Sequence, residues 1–221
     1  MDTNRLEAFS DGVFAIAITL LILEVHVPAV PPGQHASLAH QLGRAWPDYV
    51  AYAISFVTIG IMWANHHAIF RLIERATHGL IVLNMLLLMS VSFLPFPTKV
   101  LGQNLTTADG DQRTAAILFS GTFLVTALLY NALWQTAVWQ NRLIKPGQEQ
   151  AAAQVSRRFN VGPPSYLLAF LLAFWSMPAS VALLGALAVL YILPRRRGED
   201  SDDAARSPGD ASERGDSGRN I

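Results

Sequence analysis

The sequence predicts an all-α membrane protein with six transmembrane helices and with both termini in the cytoplasm. Hydrophobic residues make up 52% of the 221 residues and charged residues only 14%, which is too apolar for an ordinary soluble domain. The charged residues lie between long apolar runs and in the C-terminal tail. No stretch shows the alternation of a half-buried strand. We therefore expect a multi-pass protein of the inner (plasma) membrane of the cell.

Six apolar runs reach or approach the length that crosses a bilayer, for which about 17–25 residues is typical. They cover residues 9–27, 49–69, 78–101, 114–139, 163–177 and 179–194. Pro95 and Pro97 interrupt the third run near its outer end, where we expect the helix to terminate. The last two runs meet at Pro178. As one helix they would overshoot a bilayer of about 30 Å at about 1.5 Å per residue, so a hairpin is favoured.

The distribution of positive charge also favours six spans. With the N-terminus inside, ten Lys and Arg residues lie on the cytoplasmic side and three outside, as the positive-inside rule requires. The inside set is Arg5, Arg71, Arg75, Arg142, Lys145, Arg157, Arg158, Arg195, Arg196 and Arg197, and the outside set is Arg44, Lys99 and Arg113. Residues 1–197 are predicted to form the transmembrane domain. Residues 198–221 contain almost nothing apolar and are predicted to form a disordered cytoplasmic tail.

Composition and motifs exclude several other classes of protein. The chain has no cysteine, hence no disulfide and no thiolate nucleophile, and no Gly-x-Ser-x-Gly motif occurs. A net charge of zero gives no footprint for nucleic acid. His66 and His67 point about 100° apart on a helix and lack the spacing of a zinc-binding pair. We expect neither an enzyme, nor a cofactor, nor a metal site.

The first helix carries ionisable residues at both ends, which in a membrane point to a functional site or to a structural ion pair. Glu24 is open to both interpretations, since it either concentrates cations at the outer mouth or pairs with a neighbouring cation. On a helical projection one stripe collects Gly12, Ile16, Thr19, Leu20, Leu23 and Val27, while Ser10 and Asp11 point away from it.

The same helix contains Arg5, then Phe9-Ser10-Asp11, then Gly-Val-Phe-Ala-Ile-Ala-Ile-Thr-Leu-Leu. This string resembles the signature of the transmembrane protein 175 potassium-channel family in its prokaryotic single-repeat form. The resemblance implies a homotetramer in the lipid bilayer that conducts potassium ions passively through a pore lined by four copies of the first helix. No Thr-Val-Gly-Tyr-Gly filter is present, so selectivity must come from side chains and from the geometry of the constriction.

Carried onto this chain, the apolar constriction rings of the family fall at Ile16, Leu20 and Leu23. Rings of this kind gate by dewetting. Thr19 is the polar member of the stripe, and its hydroxyl either replaces part of an ion's hydration shell or bonds back to a helix carbonyl.

The motif residues Arg5, Phe9, Ser10 and Asp11 are interpreted as a bracket that holds the helix rather than as pore lining. We expect a buried polar cluster of Asp11 with Trp63 or His66, because both side chains can donate hydrogen bonds to a carboxylate.

Two other functions remain open from the residues. A secondary transporter or proton-coupled carrier would use Asp11, Glu24, His66 and Asn84 as a relay, but no internal repeat is visible. A non-conducting membrane scaffold would leave the stripe on the first helix unexplained.

Overall fold

The computed structural model describes residues 3–27, 37–107, 109–139 and 143–192. Within these ranges the regular elements are helices, together with one isolated antiparallel bridge between Ile73 and Ile144. The predicted tail at 198–221, the arginines at 195–197, Arg142 and the outer-loop residues 28–36 lie outside the described residues.

The helices follow one another along the whole described chain. In order they are α1 Thr3–Leu20, a 3-10 helix Leu21–Glu24 that continues α1, α2 Leu38–Arg44, α3 Trp46–Leu72, α4 His78–Phe93, α5 Pro95–Asn104, α6 Asp109–Trp139, α7 Glu149–Phe159, α8 Gly162–Ala173 and α9 Met177–Ile192. The helix α6 lies at the centre, in contact with α4, α5, α8 and α9, and α1 packs against α3 and α4.

Four helical stretches are long and apolar enough to cross a membrane, and they correspond to the first four predicted spans. They are Thr3–Glu24, Trp46–Leu72, His78–Asn104 and Gly110–Trp139. The last two apolar runs form separate helices, α8 and α9, as predicted. A hydrogen bond of 2.7 Å from Ser180 Oγ to the Ala169 carbonyl helps to hold them together as a hairpin. Their crossing of the bilayer stays a prediction.

The third span differs from the expectation at its prolines. The helix α4 ends at Phe93, but α5 begins at Pro95 and carries the same span on to Asn104. Proline is tolerated in the first turn of a helix, where its missing N–H would have no partner anyway. The prolines therefore divide the span instead of terminating it.

Two helices had no counterpart among the predicted runs. Between the first two spans, α2 begins at Leu38 and is capped by Ser37, whose side chain accepts a hydrogen bond from the backbone N–H of His40. After α6, a turn with Gly147 at a φ of 81° leads into α7. The helix α7 is amphipathic, and its apolar residues recur every three or four positions instead of forming a continuous run.

The core runs through the whole bundle and positions α1 closely. Its largest fully buried side chains include Phe14 on α1, Phe70 on α3, Phe119 and Phe123 on α6, and Trp134 near the C-terminal end of α6. The start of α3 and the end of α5 approach so closely that a side chain in place of Gly102 would collide with Asp48. The 3-10 helix that continues α1 packs against both α3 and α5 and so fixes the C-terminal end of α1 against the bundle.

Candidate functional site

The helix α1 has one buried face and one face with no neighbour in the subunit. Leu6, Ser10, Phe14, Ala17 and Leu21 are each at most 2% exposed and recur every three or four residues, as the packed face of a helix requires. On the opposite side large apolar residues are open. The exposed fraction of Ile16 is 61% and that of Leu23 is 67%. Apolar side chains that are exposed to this extent are expected to contact lipid or another subunit.

The open face contains the whole predicted stripe. Gly12, Ile16, Thr19, Leu20, Leu23 and Val27 are all exposed. A Cβ atom added at Gly12 would meet nothing within 4 Å, so this position also faces free space. The exposed face of α1 therefore carries the whole predicted stripe, and the role of this stripe as pore lining stays a prediction.

Arg5 and Phe9 lie on the open face as well, which differs from their predicted role in a bracket. Both are exposed, Phe9 by 52%. They precede Ile16 by eleven and seven residues, so at about 100° per residue each projects within about 20° of Ile16. The spacing of four and three that links residues 5, 9, 12, 16, 19 and 23 is the sequence signal that extends the stripe to the inner end of α1.

Thr19 bonds back to its own helix. Its hydroxyl donates to the carbonyls of Ala15 and Ile16, with both oxygen distances at 2.9 Å. The proton of the hydroxyl is thus directed into the helix. The lone pairs of the oxygen remain free to face whatever occupies the space beside α1.

The buried face of α1 carries a polar network that joins three helices. Asn84 of α4 lies at its centre. The amide Nδ2 of Asn84 donates to Ser10 Oγ of α1 at 3.0 Å, and its Oδ1 lies 2.9 Å from His66 Nε2 of α3. Ser10 Oγ in turn donates to the Leu6 carbonyl at 2.8 Å. All three side chains are fully buried, so the network locks α1 to α3 and α4.

The direction of these hydrogen bonds fixes the state of the histidine. Because the hydroxyl proton of Ser10 is used by Leu6, Ser10 accepts from Asn84, and Asn84 Oδ1 must accept from His66. His66 is therefore protonated at Nε2. Its Nδ1 has no hydrogen-bond partner among the described residues, and the ring stacks on Phe70 with centroids 4.3 Å apart.

Asp11 is bonded to Trp63 and takes no part in this network. The indole Nε1 of Trp63 donates to Asp11 Oδ1 at 3.0 Å. Trp63 is half exposed and Asp11 is partly buried, so the pair lies at the margin of the subunit instead of in its core. A second link between α1 and α3 lies one turn further towards the inner end, where His67 Nδ1 is 2.6 Å from Glu7 Oε1. Neither this link nor the hydrogen bond between Asn84 and Ser10 was predicted from the sequence.

The charged residues beyond the C-terminal end of α1 are paired inside the subunit. Lys99 Nζ lies 3.3 Å from Glu24 Oε2, and Asp48 accepts a hydrogen bond of 3.0 Å from the backbone N–H of His26. Of the two interpretations of Glu24, the structure shows the ion pair. Glu24 is also about thirteen residues, or roughly 20 Å, from Asp11 along α1. The four residues of the hypothetical relay thus form no connected chain of hydrogen bonds among the described residues.

Comparisons with known proteins match this arrangement to a single family. The family model described as endosomal/lysosomal potassium channel TMEM175 matches residues 5–95. A potassium channel of Chamaesiphon minutus is 42% identical over 193 residues, which cover 87% of this chain and 94% of the relative. A potassium channel of Streptomyces collinus is 44% identical over 192 residues, which cover 86% of this chain and 91% of the relative.

A solved structure agrees with the sequence comparisons. The crystal structure of a lysosomal potassium-selective channel TMEM175 homolog from Chamaesiphon minutus superposes with a TM-score of 0.78 at 41% identity. The superposition covers 86% of this chain and 95% of that one. On both sequence and fold, the chain belongs to the TMEM175 family.

Proposed function

We propose that this chain is the subunit of a homotetrameric, potassium-selective channel of the plasma membrane, whose pore is lined by the open face of α1. Two interleaved series on that face carry the proposal. Arg5, Gly12 and Thr19 form a series of small or polar residues, and a second series of large apolar residues lies between them at Phe9, Ile16 and Leu23. Each series repeats at an interval of seven.

An interval of seven is the repeat that keeps the same side chains turned towards an axis shared by several helices. Contact with lipid alone would require apolar residues on this face but no such order of size and polarity. Around a fourfold axis the two series would become alternating rings, with apolar rings separated by wider or more polar levels.

The apolar rings provide a barrier that a hydrated ion cannot pass intact. Rings of Ile16 and Leu23, with Leu20 at the edge of the stripe, offer no hydrogen bonds to replace water, so an ion must shed part of its shell. Potassium binds its water less tightly than sodium does, because it is the larger ion of the same charge. The cost of passage is therefore lower for potassium.

Thr19 supplies oxygen between two apolar levels. Since its proton is held by the carbonyls of α1, the oxygen would present lone pairs to the axis, which suits a cation. Four such oxygens at one level would replace part of the lost hydration between Ile16 and Leu23.

The topology belongs to the same proposal. With α8 and α9 as the fifth and sixth spans, both termini lie in the cytoplasm together with most of the positive charge. The relatives named as potassium channels support conduction of potassium, and the family consists of ion channels and not of enzymes.

Flux into proteoliposomes tests the proposal. Purified protein is reconstituted, a potassium gradient is imposed in the presence of a protonophore, and the measurement is repeated with sodium. Potassium flux well above sodium flux is the expected result. Equal flux of the two ions contradicts the proposed selectivity. In a second experiment without the protonophore, potassium flux driven by an imposed proton gradient would favour a proton-coupled carrier instead.

The oligomeric state is tested separately by native mass in detergent. The channel requires four copies. A monomer or dimer would contradict the shared pore even if some flux were measured. A cooperative thermal transition of the same sample would show that the protein is folded.

A further inference from the structure

The amphipathic helix α7 and the ends of two spans form a positively charged surface. The short bridge at Ile73 and Ile144 is closed by two backbone hydrogen bonds, from Glu74 N to Leu143 O at 2.7 Å and from Lys145 N to Leu72 O at 2.9 Å. This bridge ties the segment before α7 to the end of α3. It brings together what we name the α7 surface, formed by the exposed side chains of Arg71, Arg75, Lys145 and Arg157.

The cations of the α7 surface have no partner in the part of the chain that the structure describes. The described ion pairs are His67 with Glu7 and Lys99 with Glu24, and neither involves this surface. Two exposed carboxylates, Glu74 and Glu149, lie on the same segments, so positive charge is in excess. The charges are thus available to a ligand from outside the subunit.

A cavity opens between the end of α3 and α7. Its volume is about 350 Å³, at the lower end of the range of small-molecule sites. Its polar wall consists of Arg71, Gln148 and Gln154, and its apolar part includes Leu72 and Val155. A site lined by a guanidinium, two side-chain amides and aliphatic side chains suits an amphiphile.

The position of the cavity selects the kind of amphiphile. The span of α3 ends at Leu72 and that of α6 at Trp139, so the cavity lies at the boundary of the bilayer. At this depth the available anion is the phosphate of a lipid headgroup. The fork of Arg71 matches phosphate geometry, and exposed cations at this level attract anionic lipids.

We propose that the cavity between α3 and α7 is a binding site for an anionic phospholipid. The phosphate lies against Arg71 with the amides of Gln148 and Gln154 beside it, and the glycerol and the first methylenes lie against Leu72 and Val155. Arg75, Lys145 and Arg157 supply the surrounding positive field. This site is independent of the pore, and its occupancy is measured without any flux.

Native mass spectrometry of the full chain, purified in detergent with equal amounts of phosphatidylglycerol and phosphatidylcholine of matched acyl chains, tests the site. The wild-type protein is expected to retain phosphatidylglycerol in preference. Arg71→Gln removes a charge-assisted contact and should lower its retention about tenfold. Arg71→Lys keeps the charge without the fork and should give an intermediate loss.

The matched control is Arg113→Gln, which removes another exposed arginine, near the start of α6 and away from the cavity. It should leave retention unchanged. If Arg71→Gln and Arg113→Gln retain the same amount of phosphatidylglycerol, the site is wrong. Excess inorganic phosphate should not displace the lipid, because it has nothing to place against Leu72 and Val155. Displacement by inorganic phosphate would mean that the cavity takes a soluble anion and would overturn the lipid assignment.

Discussion

The two faces of α1 differ in how their polar atoms are satisfied. On the buried face, Ser10 is bonded through Asn84 to His66, so three helices depend on one another. On the open face, Thr19 bonds only to its own helix, and Ile16 and Phe9 are each more than half exposed. One face of α1 therefore attaches the helix to the subunit, and the other face can be substituted without disturbing that attachment.

This division suits a helix that must line a conducting path. Because α1 is held from behind, changes on its open face should alter what the path admits without unfolding the subunit. Changes on the buried face should do the reverse. A substitution on the open face that unfolds the subunit, or one on the buried face that changes only selectivity, would contradict this difference between the two faces.

The largest effect is expected from Asn84→Leu. The substitution leaves the Nε2–H of His66 without an acceptor in a fully buried position and removes the amide that donates to Ser10. An unsatisfied buried group costs about 1–3 kcal/mol, so the thermal transition in detergent should fall clearly. Ser92→Ala on the same helix is the control, since the Ser92 hydroxyl bonds only to carbonyls of α4 and its loss should be nearly neutral. If the two variants have the same thermal transition, the network of Ser10, Asn84 and His66 does not help to hold α1 against α3 and α4.

Ile16→Asn should change selectivity and leave stability almost unaltered. An amide in the narrow ring would hydrate it and lower the barrier to sodium, and a change of about 1.4 kcal/mol corresponds to tenfold in the ratio of potassium to sodium flux. Ile22→Asn is a matched control. Ile22 in the 3-10 helix is similarly exposed, at 55% against 61% for Ile16, but it does not belong to the predicted stripe. A loss of selectivity in both variants, or in neither, would contradict the assignment of Ile16 to the constriction.

The sequence allowed the first four spans, the hairpin of α8 and α9, and the open stripe to be predicted, because each depends on apolar residues at a regular spacing. It did not give the partners of the buried polar groups. The sequence predicted one depth for Asp11, Trp63 and His66, and the choice of partner depends on which side of α3 each residue faces. His66 turns inward to Asn84, and Trp63 turns outward to Asp11. Similarly, α7 is too polar to be recognised among the apolar runs, and its position against the end of α3 is visible only in the structure.

Phe9 tests the difference between the two faces, because the sequence predicted a bracing role for it and the structure places it on the open face. The chain contains no native cysteine, so Phe9→Cys can be introduced without other changes. A cationic thiol reagent applied from the cytoplasmic side should attach to it and remove most of the potassium flux, since a fixed positive charge would then stand in the path. Phe14→Cys, in a position only 2% exposed, should not react in the folded protein. Modification of Phe9→Cys without any loss of flux would place this residue outside the conducting path.

The smallest effect is expected from Glu24→Gln at the outer end. The ion pair of Glu24 with Lys99 is partly exposed, and such pairs contribute about 0–1 kcal/mol, so the thermal transition should hardly move. The flux should also be nearly unchanged, because the charge of Glu24 is compensated by Lys99 and not offered to the path. Measurement at low and at high ionic strength gives a direct check. If potassium flux in Glu24→Gln falls at low ionic strength and recovers at high ionic strength, where screening is stronger, Glu24 concentrates cations at the mouth despite its partner. The outer end of α1 would then belong to the conducting face and not to the attachment.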